Sequence, residues 1–182
     1  FAGRQEPRKG LQVLLRAWPE IHSRTGLRLT VAGADPLAVR LLLARLRVSD
    51  DGIDVVGFLS QDELTTTLLR SKALVAPSIG QESFGMVLTR AFACALPVVA
   101  SDIPGYREVL TPDAAVAVAP NDTAALANAV SGLVADEARR ERMGEAAREL
   151  AIERYSWPTL ARRLERIYEG VTRLDRAQAR AA

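Results

Sequence analysis

The chain reads as an α/β protein built on a doubly wound parallel sheet, and three observations carry that reading. Five short apolar runs rich in Val and Leu, at residues 27–32, 53–58, 73–76, 97–100 and 114–119, lack strict alternation, as strands buried on both faces do. Stretches of helical length with one apolar face lie between them. Strand alternating with helix then argues for parallel pairing through crossover helices. Right-handed crossovers place strand C-termini and helix N-termini along one edge, where such sheets bind ligands.

The elements follow in order. Phe1-Ala2-Gly3-Arg4 reads as the end of a strand entering a loop and has no Met, so the sequence is expected to begin inside a longer protein. Leu11, Leu14, Leu15 and Trp18 share a helical face up to Pro19, which should restart or kink the helix. A second helix, residues 37–46, follows Pro36. Ser60-Gln61-Asp62-Glu63 is a capping box that opens a third, through Leu64, Leu68 and Leu69. Beyond Asn121 the rhythm changes. Asn121-Asp122 can cap a helix to residue 134, and residues 136–154 form a long charged helix. Tyr155-Ser156-Trp157-Pro158 breaks it, and a last helix carries Leu164, Ile167 and Tyr168. The Arg/Ala-rich residues 173–182 are expected to fray.

Composition narrows the chemistry. A chain of 182 residues can bury roughly 70% of its unfolded surface, enough for its own core. Lys and Arg number 24 against 22 Asp and Glu, a net +2 that argues against a nucleic-acid binder working by bulk charge. Aromatics at 5% are too sparse for a base-stacking platform. The lone Cys94 excludes an intramolecular disulfide, and the lone His22 excludes multi-histidine metal centres. No apolar run approaches the ~18 residues that span a bilayer, and no signal peptide opens the chain. We read a cytoplasmic protein. Its basic tail is the one stretch suited to anionic lipid, and the near-neutral balance does not support that contact.

Three constellations carry chemistry. In Gly3-Arg4-Gln5-Glu6-Pro7-Arg8-Lys9-Gly10, Arg4 and Lys9 flank a strand–loop–helix junction, where a fork and a point charge suit phosphate and the helix dipole adds to them. Taken alone, a solvated basic loop would look the same. In Ser78-Ile79-Gly80-Gln81-Glu82-Ser83-Phe84-Gly85-Met86, Ser83 is placed as an N-cap, and Gly85 allows close approach. The N–H groups of Gly85 and Met86 could cradle a phosphate, and Glu82 would project into the same cleft towards sugar hydroxyls. A capped helix with an incidental acid is the plain alternative. Third, residues 93–109 end a helix, form a buried strand and turn at Pro104-Gly105-Tyr106, with Gly105 offering another backbone approach. Gly57-Phe58-Leu59, just past a strand, suits a flat ring.

The order and spacing of these pieces resemble the donor-binding half of GT-B glycosyltransferases of family 4, from Gly3 to Tyr168. Seven motifs agree in order: Gly-Arg-(x)4-Lys-Gly, Val31-Ala32-Gly33, Gly57-Phe58-Leu59, Glu82-Ser83-Phe84-Gly85, Pro97-Val98-Val99-Ala100-Ser101, Glu108-Val109 and Tyr155-Ser156-Trp157. Within the family the chain is most similar to actinobacterial mannosyltransferases of the phosphatidylinositol type. The resemblance implies a Rossmann-like donor domain over residues 1–154, with residues 155–182 as a crossover helix and tail. It implies a GDP- or UDP-linked sugar as donor substrate, no metal and no separate cofactor, and retention of anomeric configuration. Arg4 and Lys9 would hold the diphosphate with the N–H groups after Phe84, Gly57 and Phe58 would border the base, and Glu82 would be the catalytic residue, engaging the sugar's hydroxyls and helping to position the anomeric carbon. The acceptor would sit in an N-terminal domain that the sequence lacks, and any membrane contact of the full-length protein would be peripheral, at the inner face.

Two positions depart from the family pattern. Its second glutamate, towards the ribose, is here Arg90, which has no acceptor for hydroxyls. Altered nucleotide preference, an inactive relative or another acid in that role all remain open. Ala95 stands where a helix C-terminus favours Gly, a cost of about 1 kcal/mol. The rival reading is a non-catalytic nucleotide- or sugar-phosphate-binding module. A dinucleotide oxidoreductase fits the rhythm, but no Gly-x-Gly-x-x-Gly follows a strand.

Overall fold

The computed structural model describes residues 1–181, with side chains through residue 171. Its strands are β1 (Leu29–Ala32), β2 (Ile53–Gly57), β3 (Leu74–Ala76), β4 (Val98–Ser101) and β5 (Ala115–Val118), one for each predicted run and all paired in parallel. The helices are α1 (Leu11–Thr25), α2 (Pro36–Leu46), α3 (Gln61–Leu69), α4 (Met86–Ala93), α5 (Pro104–Arg107), α6 (Thr123–Ala135), α7 (Glu137–Leu150) and α8 (Trp157–Ala181). The expectation that residues 173–182 fray concerns residues outside those fully described.

The parallel ladder is divided into β1–β2 and β3–β4–β5 rather than continuous. Residues 1–3 run along the free edge of β1, through a single bridge from Ala2 to Ala32. The β3–β4–β5 group is double-faced, whereas β1 and β2 contribute to one core only. On β3 and β4, Val75 and Val99 enter one core with α1, α2 and α6. Leu74, Ala76, Val98 and Ala100 enter the other with α4 and Tyr106. That period-2 split is why these runs show no polar positions.

Sequence signals set most helix ends. Asp35, Asp122 and Asp136 each accept a backbone N–H at an N-cap, and the Ser60–Glu63 capping box closes in both directions. Pro19 neither restarts nor ends α1, which continues unbroken to Thr25; the buried face of Leu14, Leu15, Trp18 and Ile21 outweighs the one lost hydrogen bond. The charged helix stops earlier than expected, at Leu150, and a π-helical turn Ala151–Tyr155 completes it. Within α7, Arg140 donates to the Val134 carbonyl at the end of α6 and pairs with Glu137. His22 is stacked on Trp18 with Nδ1 2.6 Å from the Leu27 carbonyl.

Ala95 takes the left-handed conformation, φ 53°, in the turn between α4 and β4. Gly144 of α7 packs against it so closely that a Cβ there would lie 2.4 Å from the Ala95 carbonyl oxygen. Two opposite outcomes follow. Ala95→Gly should stabilise the chain by about 0.5–1 kcal/mol, since relief of the left-handed penalty exceeds the unfolded-chain entropy that glycine adds. Gly144→Ala should lower the urea midpoint, because the clash is with backbone that cannot swing away.

Candidate functional site

Three segments converge beyond the C-terminal ends of the strands: a 3-10 turn, Pro7–Lys9, the loop of residues 77–85 after β3, and α5 after β4. Their meeting is steric first. Gly10, at φ 69°, ends the 3-10 turn with Pro77 over its bare Cα, where a Cβ would lie 1.8 Å from the Pro77 oxygen. The Ile79 N–H then donates to the Arg8 carbonyl at 2.8 Å. On the far side, a Cβ on Gly105 would meet the Glu82 carbonyl oxygen at 1.6 Å. The close approach expected at Gly105 is therefore real, and the Glu82 backbone takes it.

Within this frame sits an alternating row of charges. The Glu82 side chain is only 7% exposed, and its two oxygens are divided between Arg8 (2.6 Å) and Lys9 (2.8 Å). Arg8 also reaches Glu6 at 2.6 Å, and Glu6 in turn holds Arg4 at 2.9 Å. Sequence reasoning placed Lys9 beside Glu82's loop, and the structure brings them into direct contact. Arg4 stays at the outer end of the row, 72% exposed. Arg8 was overlooked as a site residue. It is the first of the Arg8–Lys9 pair, and no spacing rule singles it out.

The start of α4 differs from the expectation in two respects. Its N-cap is Gly85, at φ 80°, and not Ser83, which is exposed and makes no cap hydrogen bond. Glycine takes the place because the chain must turn left-handed there. The bare Cα of Gly85 faces the Tyr106 ring, 2.7 Å from where a Cβ would stand, so that side is filled. The Met86 side chain is exposed beside it, and the opening N–H groups of a helix lack intrahelical partners. Phe84 packs edge-on against Tyr155, centroids 5.6 Å apart.

Gly57 ends β2 at φ 71° and its carbonyl accepts from the Gly33 N–H at 2.7 Å. Phe58 after it is exposed. Arg90, one turn inside α4, hydrogen-bonds the side chain of Gln61 at the start of α3, so it faces the loop that carries Phe58. Burial pushes the half-buried Cys94 thiol above its ordinary value, as for a packing residue rather than a nucleophile. Among the described residues no group of three His, Cys, Asp or Glu side chains could hold a metal ion, and no helix is long and apolar enough to cross a membrane.

A family model described as glycosyl transferases group 1 matches residues 1–150. The chain belongs to the group 1 glycosyl transferases. It is 38% identical over 178 residues to the phosphatidyl-myo-inositol mannosyltransferase of Mycobacterium leprae, covering 94% of this chain and 46% of that one. This group 1 glycosyl transferase chain thus spans about half the length of the curated relatives it matches. A glycosyltransferase from Rickettsia africae superposes with TM-score 0.82 at 23% identity, over 94% of this chain and 46% of that one. The Anabaena protein HepE in complex with UDP gives 0.81 at 19% identity, over 93% and 47%. These likenesses show the GT-B fold.

Tyr106 holds the site loop from beneath, its buried hydroxyl 2.8 Å from that of Ser78. Tyr106→Phe leaves the Ser78 hydroxyl unpaired and should cost about 1–3 kcal/mol in urea unfolding. Burial also holds the Tyr106 phenol above its ordinary 10.0. A raised folded value means the stabilisation is complete below the unfolded value and is lost as pH rises through the folded one. Above pH ~10 the stability gap between wild type and Tyr106→Phe should therefore shrink.

Proposed function

We infer that the chain is the donor-binding half of a retaining glycosyltransferase that moves a hexose from a GDP- or UDP-linked sugar to an acceptor held by a second domain. The observation that carries this is the buried Glu82 carboxylate lying against Lys9 at the sheet edge, beside the start of α4. A diphosphate brought to Lys9 meets an ammonium with two donors still to give, since one of its three goes to Glu82. Arg4 and the N–H groups of Gly85 and Met86 add positive field. Together they stabilise charge growing on the leaving diphosphate, a role that needs no metal. Glu82 accepts hydrogen bonds from the sugar, and the exposed Phe58 borders the base. A relative named as a mannosyltransferase makes mannose the first sugar to test.

The acceptor domain is assigned to the side of α8, where Trp157, Leu160, Leu164, Ile167 and Val171 form an exposed apolar stripe at helical spacing. Half of a cleft binds donor without turnover, so contact with a membrane-borne acceptor belongs to the whole protein. Arg90 favours a second reading, a module that binds nucleotide sugar but has lost transfer: it offers donors where ribose hydroxyls call for an acceptor.

Calorimetry with GDP-, UDP- and ADP-sugars tests the first reading. One of them should bind, and Arg4→Ala and Lys9→Ala should each weaken that binding by about tenfold or more, as loss of a charged hydrogen bond predicts. A folded chain that binds none of them sinks the assignment. Arg90→Glu separates the two readings: a gain of about tenfold in donor affinity marks a decayed ribose contact, whereas no gain shows that another group reads the ribose.

A further inference from the structure

We propose that Arg8 is a positioning residue, which acts through Glu82 and not on the ligand itself. This rests on the donor reading above only for the use to which Glu82 is put. Three of the five N–H groups of its guanidinium are already committed to protein. Nε donates to Glu6 at 2.6 Å, while Nη1 donates to the Gln81 carbonyl at 2.9 Å and to Glu82 Oε1 at 2.6 Å.

The backbone explains why such a clasp is needed. Gln81 is a non-glycine residue in the left-handed region, φ 57°, and follows Gly80 at φ 150°. The loop doubles back over these two residues to deliver Glu82, and such conformations persist only where the surroundings over-determine them. Arg8 supplies that determination at three successive points, since its own carbonyl receives the Ile79 N–H. Its side chain is 28% exposed and lies between two carboxylates, so little of it remains for a ligand. Lys9, whose ammonium has Glu82 as its one side-chain partner among the described residues, keeps donors in reserve. The labour is divided: Lys9 meets the anion, and Arg8 fixes the carboxylate. A lysine at position 8 would keep the charge but not the planar fork that spans Glu6, Gln81 and Glu82.

The test has a ligand arm and a ligand-free arm. In the first, affinities of the wild type, Arg8→Met and Arg8→Lys are measured by calorimetry for GDP-mannose against GDP, and UDP-glucose against UDP. Arg8→Met should lose about tenfold for the sugar nucleotide and stay within about threefold for the nucleoside diphosphate, with Arg8→Lys in between. Equal losses for both ligands make Arg8 a direct phosphate contact and overturn the proposal. In the second arm, thermal midpoints are compared for Arg8→Met, Glu82→Gln and the double variant, with circular dichroism confirming that each folds. The drop caused by Arg8→Met should shrink by about half or more in the Glu82→Gln background. Drops that simply add overturn the proposal whatever binds. Coupling without binding of any nucleotide sugar would instead remove the donor reading while leaving Arg8 as the residue that positions Glu82.

Discussion

The grip of Arg8 and Lys9 on Glu82 is the contact on which the site depends. It joins loops 74 and 73 positions apart in sequence, one ahead of α1 and one ahead of α4. A carboxylate this far from water is costly unless it is paired. Here each oxygen has its own cation, so the loop is drawn inward rather than left to extend into solvent. Removing either cation would leave a buried charge half answered, which costs more than the same pair is worth on a surface.

Steric permission makes that grip possible. Gly10 admits the Pro77 carbonyl, Gly105 admits the Glu82 carbonyl, and Gly85 admits the Tyr106 ring. In each case the volume of a missing Cβ is filled by another segment, so the loops are held by exclusion as much as by apolar burial. Beneath them, the Ser78–Tyr106 hydroxyl pair sits in a dry environment where an unmade hydrogen bond is expensive. Phe84 carries the same rigidity outward to Tyr155, the last residue of the turn before α8. The loop that would meet a donor is thereby tied to the turn that leads into α8.

Strands β3, β4 and β5 were legible because side chains sent to both cores leave an uninterrupted apolar run, and the Ser60–Glu63 box was legible because capping is local chemistry. The left-handed turn at Ala95 also follows from local geometry, and the chain adopts it despite the wrong residue. Ser83 misled because a serine ahead of an apolar stretch satisfies the composition of an N-cap, whereas the loop's need to turn left-handed selected Gly85. Pro19 does not restart the helix: its local cost is visible in sequence, and the tertiary burial of its neighbours, which outweighs it, is not. Arg8 and the occupant of Gly105 were hidden for one reason. Each is defined by a partner far away in the chain, and only the fold states which partner that is.

The charge row also bears on how an anion enters. From Arg4 to Glu6, Arg8, Glu82 and Lys9 the signs alternate, so in the absence of ligand every cation is at least partly compensated. On the proposed donor reading, an incoming diphosphate would therefore compete with carboxylates and not simply fall into a positive well. Arg8 is the least available, held on both sides, while Arg4 is exposed enough for solvent to screen its tie to Glu6. Lys9 combines shelter with spare donors, and this is where the field is both strong and free. The near-neutral chain thus needs no general basic surface: the sheet edge concentrates one usable ammonium against one fixed carboxylate. An anion and the hydroxyls of a sugar attached to it would find their partners on either side of the same ion pair.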